Sequence, residues 1–477
     1  MVSQDYLLDD QAMRDFVVNG YATVLTDLPA DFHASIARQA EPLGVDGLGK
    51  DKILACIPDL FEVFNRPAVR GVLASVLGHS YVMYRHRHCH ASSPSDPNDL
   101  RFPAKKHFHQ DGASGHHRLR TVFAFYYPQD VTADMGPTAI IPRSQYYSTA
   151  EASYACPGLP LTCRAGTVTI AHLDTWHGGT VNYSTRRRFL MKFLFQRMDE
   201  PQEPSWRSEN PDWRPAENGT GGANLEVLWE HLWHWHCGRQ SIGAREPATG
   251  NISALIDGLQ DEDEVVRLQS AYGLAQFGQA AVPALIDALL NEAPRRPRLT
   301  ELYCRYALVA VGRPAAEALT EQLGHADEWV RASAAKILGD MGQGTQSTVY
   351  ALMERLEDES SQVRANAAEA LGLIGQGAAS AVGALTRRLA DEPDQVRIGA
   401  AEALAKIGPA AVDAVAELTD CLADEQPYVR NYASQALERI DNSETKRALS
   451  DYFAAYPTEA YSRAWTKHDV AAAVHEG

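Results

Sequence analysis

Five segments of this chain open with valine–arginine and run on in one pattern: VRLQSAYGLAQFG, VRASAAKILGDMG, VRANAAEALGLIG, VRIGAAEALAKIG and VRNYASQALERI. Their arginines are Arg267, Arg331, Arg364, Arg397 and Arg430, and the last four stand 33 residues apart. Arg267 to Arg331 is 64 residues, nearly two repeats, with CRYALVAVG at Cys304–Gly312 filling the gap irregularly. Each unit reads as two short helices, one like AVPALIDALL and one like VRANAAEALGLIG, with an acidic turn between units. A single hairpin of this kind cannot bury its apolar face, whereas stacked hairpins share a continuous core. The spacing therefore predicts an all-α solenoid over 245–440. Alanine at recurrent positions favours helix and lets helices approach closely. The repeated arginine is read as structural, pairing with the acidic turns DED, HADE, DES, DEP and DEQ, rather than as a binding ladder.

Upstream of residue 200 the period changes. Residues 7–18 and 30–43 carry helical patterns on either side of the apolar stretch YATVL at 21–25. Two further helices are expected around Asp59–Phe64 and Ala68–Leu77. Strand-like runs follow at Tyr81–Cys89, Thr121–Tyr127, Ala139–Ile141, Thr167–Ile170 and Phe189–Phe195. Strands separated by turns, without regular helices between them, predict an antiparallel barrel or sandwich with flanking helices.

Between the halves lies DEPQEPSWRSENPDWRPAENGTGG, polar and broken by proline and glycine, which reads as a long loop. The expected division is a β domain over 1–200, a linker and interdomain segment over 201–244, the solenoid over 245–440, and a capping helix with a tail over 441–477. Within the linker, LWEHLWHWHCG at 228–238 mixes tryptophan, histidine and Cys237, but no second cysteine pair follows. It is read as an aromatic helix or turn that seats the first domain against the first repeat, not as a zinc site.

Composition works here by exclusion. A formal charge of −17, spread widely, opposes general attraction to nucleic acid or anionic lipid. No apolar run approaches the ~18 residues of a membrane span. The start, MVSQDYLLDD, lacks the basic and apolar regions of a secretory signal. Seven scattered cysteines give no disulfide framework and fit a reducing compartment. The expectation is a cytoplasmic protein with no nucleic-acid or membrane partner.

Chemistry concentrates in two motifs. HFHQDG at 107–112 sets His109 and Asp111 two residues apart, so in a strand both emerge from one face. WHGG at 176–179 supplies His177 from a distant strand end. Two neutral imidazoles and one carboxylate leave about half an octahedron open, which suits non-heme iron(II). Tetrahedral zinc would leave less room for a bidentate cofactor.

After His177 the chain reads GGTVNYSTRRRFLMKF, with Asn182 and Arg188 downstream. LLDDQAMRDFVVNGYATVLTDLP near the start, DMGPTAIIPRSQ at 134–145 and AGTVTI at 165–170 complete the pattern. Over residues 6–197 it resembles the phytanoyl-CoA dioxygenase family, 2-oxoglutarate oxygenases built on an all-β double-stranded β-helix of jelly-roll or cupin-like form. The departure is Arg143-Ser144-Gln145, where members more often carry Gly-Ser-His. The resemblance implies that His109, Asp111 and His177 hold iron(II) and form the catalytic centre, that Arg188 binds the cofactor, and that 2-oxoglutarate and molecular oxygen are consumed. Related halogenases typically replace the carboxylate with a small residue, so Asp111 implies hydroxylation or another hydrogen abstraction. The downstream units resemble HEAT repeats, particularly the alanine-rich subtype also seen beside bilin lyases.

Arg188 has neighbours to distinguish it from. A guanidinium offers a carboxylate the bidentate fork that lysine cannot. By strand alternation Arg186 and Arg188 share a face with Leu190 and Lys192, and Arg187 points the other way; the family's offset favours Arg188.

On the substrate side, YRHRHCH at 84–90 alternates His86, His88 and His90 against Arg85, Arg87 and Cys89. Basic residues also flank the HxD motif. The candidate substrate contacts are His86, His88, Lys106, His116, Arg120 and Trp176, and their charge points to an anionic or polar metabolite. The function expected is oxidative decarboxylation of 2-oxoglutarate coupled to hydroxylation, or a related C–H oxidation, of such a small molecule. A protein hydroxylase recruiting a polypeptide through the repeats, and a non-catalytic interaction module, are the alternatives. A protein partner or self-association through the repeats stays open.

Overall fold

A computed structural model describes residues 3–43, 53–95, 108–112, 115–154, 156–215, 224–239, 251–292, 299–391, 393–456 and 464–465. The chain divides into two compact units. One comprises Met1–Arg197, Pro204–Asn224 and Pro457–Gly477; the other comprises Met198–Glu203 and Leu225–Tyr456.

The first unit begins with α1 (Asp10–Asn19), whose exposed N–H groups are met by the Asp9 side chain accepting from Ala12 N. Strand β1 (Tyr21–Leu25) and helices α2 (Ala30–Ala40), α3 (Ile53–Cys56), α4 (Leu60–Asn65) and α5 (Pro67–Leu77) follow. Then come β2 (Tyr81–Ser92), β3 (Thr121–Tyr126), β4 (Thr138–Ile140), α6 (Ala150–Ser153), β5 (Leu159–Pro160), β6 (Thr167–His172), β7 (His177–Gly179) and β8 (Arg188–Arg197). A further strand, β9 (Ala464–Trp465), pairs with β2.

The strands form one sheet ordered β1-β6-β3-β8-β2-β9 and another ordered β5-β4-β7. Every pairing is antiparallel. This is the double-stranded β-helix, cupin-like arrangement that the family resemblance implied, and it meets the antiparallel architecture that the strand pattern predicted. The short strand β5 was not foreseen, and β7 only as the strand end that carries His177, because two or three residues containing proline or glycine carry no periodicity to read.

Alternation along β8 explains both faces of the large sheet. Phe193 and Phe195 point to the helices and meet the Phe64 ring of α4 at 4.3 and 5.4 Å. Leu190 and Leu194 point the other way, into a core shared with Phe123, Phe125, Tyr127, Ile140 and Leu161. Arg188 and Lys192 fall on that inner face by the same period of two. A strand this apolar fixes its own register, since a one-residue slip would exchange the two faces.

Among the described residues of the second unit, α7 (Glu226–His236) precedes six helical hairpins: α8 (Ile252–Gly258) with α9 (Glu264–Gln276), α10 (Val282–Glu292) with α11 (Leu299–Val311), α12 (Arg313–Gln322) with α13 (Glu328–Asp340), α14 (Gln346–Arg355) with α15 (Ser361–Ile374), α16 (Val382–Arg388) with α17 (Asp394–Ile407), and α18 (Val415–Asp420) with α19 (Pro427–Ile440). A final helix, α20 (Ser443–Ala455), starts in a capping box at Asn442. The interval that lacks a valine–arginine copy thus still holds a hairpin, completed by α11. The aromatic segment of the linker is helix α7, and its His231 ring lies 5.6 Å from Tyr272 of α9.

The repeated arginines stitch consecutive hairpins. Arg331 donates through Nε and Nη2 to Asp358, both at 2.8 Å, and through Nη1 to the His325 and Ala326 carbonyls of its own turn. Arg364 makes the same fork to Asp391 and Arg397 to Asp424, each partner 27 residues downstream. Close approach of the second helices needs Gly339, where a Cβ would stand 2.8 Å from the Ala370 Cα. Among the described residues, no helix is long and apolar enough to cross a membrane.

Candidate metal centre

His109 and His177 face each other across an isolated antiparallel bridge, with His109 N donating to the His177 carbonyl at 2.9 Å and His177 N to the His109 carbonyl at 3.0 Å. The HxD segment is not the strand expected from its spacing. It pairs at this one residue and bends at Asp111. The intervening Gln110 turns away and donates through Nε2 to the carbonyls of Asp174, at 2.7 Å, and Tyr147, at 2.9 Å. That anchor leaves His109 and Asp111 on the opposite side, toward His177, so the outcome foreseen from alternation holds without a regular strand.

One ligand atom from each of His109, Asp111 and His177 lies within 4.8 Å of the others. His109 Nε2 is 3.8 Å from Asp111 Oδ1, and His177 Nε2 is 3.5 Å from Asp111 Oδ2. The His177 Nδ1 meets the Thr175 carbonyl at 2.9 Å, which assigns its proton there and turns Nε2 to the triad. Side-chain exposure rises from 5% at His177 through 20% at Asp111 to 59% at His109, so the centre is closed behind and open in front. These three residues make the two-histidine, one-carboxylate triad of iron(II) oxygenases.

Electrostatics suit a metal as well. Burial, opposed by Asp111, pushes His177 down to about 4, so its imidazole is neutral and free to ligate near pH 7. Burial works to raise the Asp111 carboxyl, but Lys192 and His177 more than offset it and hold the group below its ordinary value. Lys192 is itself pushed down by burial, against the pull of Asp111. Its Nζ forms an ion pair with Asp111 Oδ2 and lies 5.5 Å from the Phe123 ring centre. Lys192 was visible in the strand alternation beside Arg188, but nothing local in the residues assigned it to Asp111.

Arg188 is buried at the start of β8. Its Nε and Nη2 donate to the Gly136 carbonyl at 3.1 and 2.8 Å, while the buried Nη1 has no hydrogen-bond partner. An orphaned, buried guanidinium N–H of this kind is what an incoming carboxylate would satisfy. Arg187, on the opposite face, reaches the Glu41 carbonyl at 3.2 Å.

The other candidates distribute unevenly. His86, His88 and His90 stack edge to face with ring centres 4.7 and 4.4 Å apart. His88 sits directly across from Lys192 in the β2–β8 register, and His90 across from Leu190, which carries the histidine face to the inner side. Trp176 is pinned as a wall residue, its Nε1 donating to the Tyr147 carbonyl at 3.1 Å. Arg120 Nη1 and His116 Nε2 lie 2.9 Å apart. The Arg120 carbonyl continues the β3–β8 ladder by accepting from Arg197 N. Alternation therefore puts Arg120 on the side of Val122 and Ala124, opposite to the inward-facing Phe123 and Phe125. Lys106 lies outside the described residues.

Residues 55–190 match the family model for phytanoyl-CoA dioxygenase. Residues 316–405 and 383–466 match HEAT repeats, and 266–291 match the PBS lyase HEAT-like repeat. No curated protein matches the chain. Among solved structures, similarity is found to the non-heme alpha ketoglutarate dependent carbocyclase SnoK from nogalamycin biosynthesis, at 17% identity over 40% of this chain and 85% of that one, with a TM-score of 0.32. The epimerase SnoN of the same biosynthesis gives 17% identity over 40% and 82%, with a TM-score of 0.32. EctD from S. alaskensis, with bound Fe, gives 17% identity over 44% and 82%, with a TM-score of 0.34.

Proposed function

We propose, for a chain that joins a phytanoyl-CoA dioxygenase-like, iron(II)- and 2-oxoglutarate-dependent oxygenase domain to a HEAT-repeat region, that the substrate is a small polar or anionic metabolite hydroxylated at an unactivated carbon. The observation that carries this reading is the wall beside the triad. His88 and His90 of β2 stand on the inner face opposite Lys192 and Leu190 of β8, and the His86 ring packs edge to face on His88 at 4.7 Å. Such a strip offers polar imidazoles, His90 among them pushed down to about 3 by burial and so neutral, with the Lys192 cation across from them, to an anionic molecule next to the reacting position.

His109, Asp111 and His177 would hold the metal, and Arg188 would take the far carboxylate of 2-oxoglutarate on its free Nη1. Bound there, iron(II) and 2-oxoglutarate supply with molecular oxygen the oxidising power to break an unactivated C–H bond. The chain's own contribution is placement. Phe123 and Phe125, with ring centres 4.8 and 5.6 Å from that of His177, keep water from the closed side of the centre. The bridge between His109 and His177 sets two ligands before anything binds.

A small molecule is favoured over a polypeptide because Arg331, Arg364 and Arg397 are engaged by Asp358, Asp391 and Asp424. The recurrent cations of the repeats are thus not a ladder awaiting an acidic chain. The test incubates the iron-loaded protein with 2-oxoglutarate and panels of small carboxylates and phosphates, following succinate and substrate mass. Succinate formed together with a mass gain of one oxygen is the expected result. Coupled turnover confined to polypeptides would overturn the reading.

A further inference from the structure

We propose that Lys192 is a positioning residue that keeps Asp111 to a single metal-facing oxygen, so that the centre retains room for a chelating keto acid and oxygen together. This rests on the reading of the triad as an iron(II) and 2-oxoglutarate centre.

Asp111 turns its two oxygens to different neighbours. Oδ1 faces His109 Nε2 at 3.8 Å, and Oδ2 carries the ion pair with Lys192 while standing 3.5 Å from His177 Nε2. The ammonium has little freedom to leave. Its side chain is 4% exposed and lies over the rings of Phe123 and Phe125, 5.5 and 5.9 Å from their centres. Its strand, β8, is interior to the sheet, with β3 on one side and β2 on the other. Leu190 and Leu194, its neighbours on the same face, belong to the packed core.

A buried cation beside a metal centre opposes the metal's own charge, so metal affinity does not explain it. Control of the carboxylate does. A carboxylate can give a metal one oxygen or two. With one, the triad leaves about half an octahedron open; with two, the keto acid and oxygen together lack a position. A charge-assisted hydrogen bond on Oδ2 holds that oxygen for the protein.

Two constants separate this role from simple charge balance: the Mn(II) dissociation constant by calorimetry, and the dissociation constant of nitric oxide, standing in for oxygen, from its absorption with the anaerobic protein loaded with iron(II) and 2-oxoglutarate. In Lys192→Met the nitric oxide constant is expected to rise about tenfold or more, while Mn(II) binds as tightly as before or more tightly. Lys192→Gln, which keeps a polar stem but withdraws the ammonium from the two rings, is measured alike and decides the matter where the Met variant does not fold. Unchanged nitric oxide binding, or loss of Mn(II) binding with nitric oxide binding unaffected, overturns the positioning role. Unsubstituted protein that binds no 2-oxoglutarate in the presence of metal overturns the oxygenase reading beneath it, which is a different result.

Discussion

Arg188 lays Nε and Nη2 on a single acceptor, the Gly136 carbonyl, at 3.1 and 2.8 Å. That carbonyl belongs to the DMGP turn, and Gly136 has a φ of +64° with its α-carbon pressed against the backbone of the segment after β7. A Cβ there would stand 2.7 Å from the Thr180 carbonyl oxygen. Only glycine fits both the conformation and the space. One guanidinium is thus aimed by a turn 52 residues upstream.

Arg188→Lys keeps a charge but loses the fork that lets one edge grip Gly136 while Nη1 stays free. A buried hydrogen bond to a charged group contributes about 1.5–3 kcal/mol, so 2-oxoglutarate affinity should fall roughly 10- to 100-fold. Mn(II) binding at the triad should persist. Titrating 2-oxoglutarate into the metal-loaded variant checks this, and an unchanged affinity would move the anchor elsewhere.

Metal binding should stabilise the first unit by mass action. At free Mn(II) of about 100 times its dissociation constant the gain is about 2.7 kcal/mol. His109→Ala should abolish the gain while leaving the metal-free fold intact, because His109 packs only 41% covered and its backbone bridge to His177 does not need the side chain. Thermal melts with and without Mn(II) test this; an undiminished shift in the variant would place the metal elsewhere.

Acid should weaken the first unit through His177. Its folded value of about 4 lies below the ~6.5 of an unfolded chain. Between these values the unfolded chain takes a proton that the folded chain refuses, so stability declines as pH falls from about 6.5 to about 4. The contribution is about 3 kcal/mol. In metal-free protein, hydrogen exchange of the β3 and β8 amides should show a shallower acid decline in His177→Gln than in the unsubstituted chain. Equal declines would count against it. His33 and His172, also pushed down by burial, keep the residual slope in both.

The arginine forks of the repeats should show up as pairwise coupling. Arg364 and Asp391 are 15% and 10% exposed and meet through two bonds at 3.0 and 3.1 Å. A double-mutant cycle with Arg364→Ala and Asp391→Ala should return about 1–3 kcal/mol of coupling. A value near zero would reduce the fork to an exposed ion pair of little consequence.

Much of this protein was legible from local order. The 33-residue spacing from Arg331 to Arg430 foretold the hairpin stack, because each hairpin contacts mainly its neighbours and local period becomes global form. The acidic turns identified the arginines' partners for the same reason. Alternation in RFLMKFLFQR separated the faces of β8, and HxD with a distal histidine pointed to the three residues that converge.

Other features lay beyond any local signal. The bend at Asp111, its anchoring through Gln110, and the aim of Arg188 by Gly136 join residues far apart in the chain. The decisive case is Lys192, 81 residues from Asp111. Residue order put it on the inner face of a strand. Only the packed barrel decided that its ammonium meets the metal-binding carboxylate, because the partner of a buried charge is set by which side chains converge in space, and no period along the chain records that convergence.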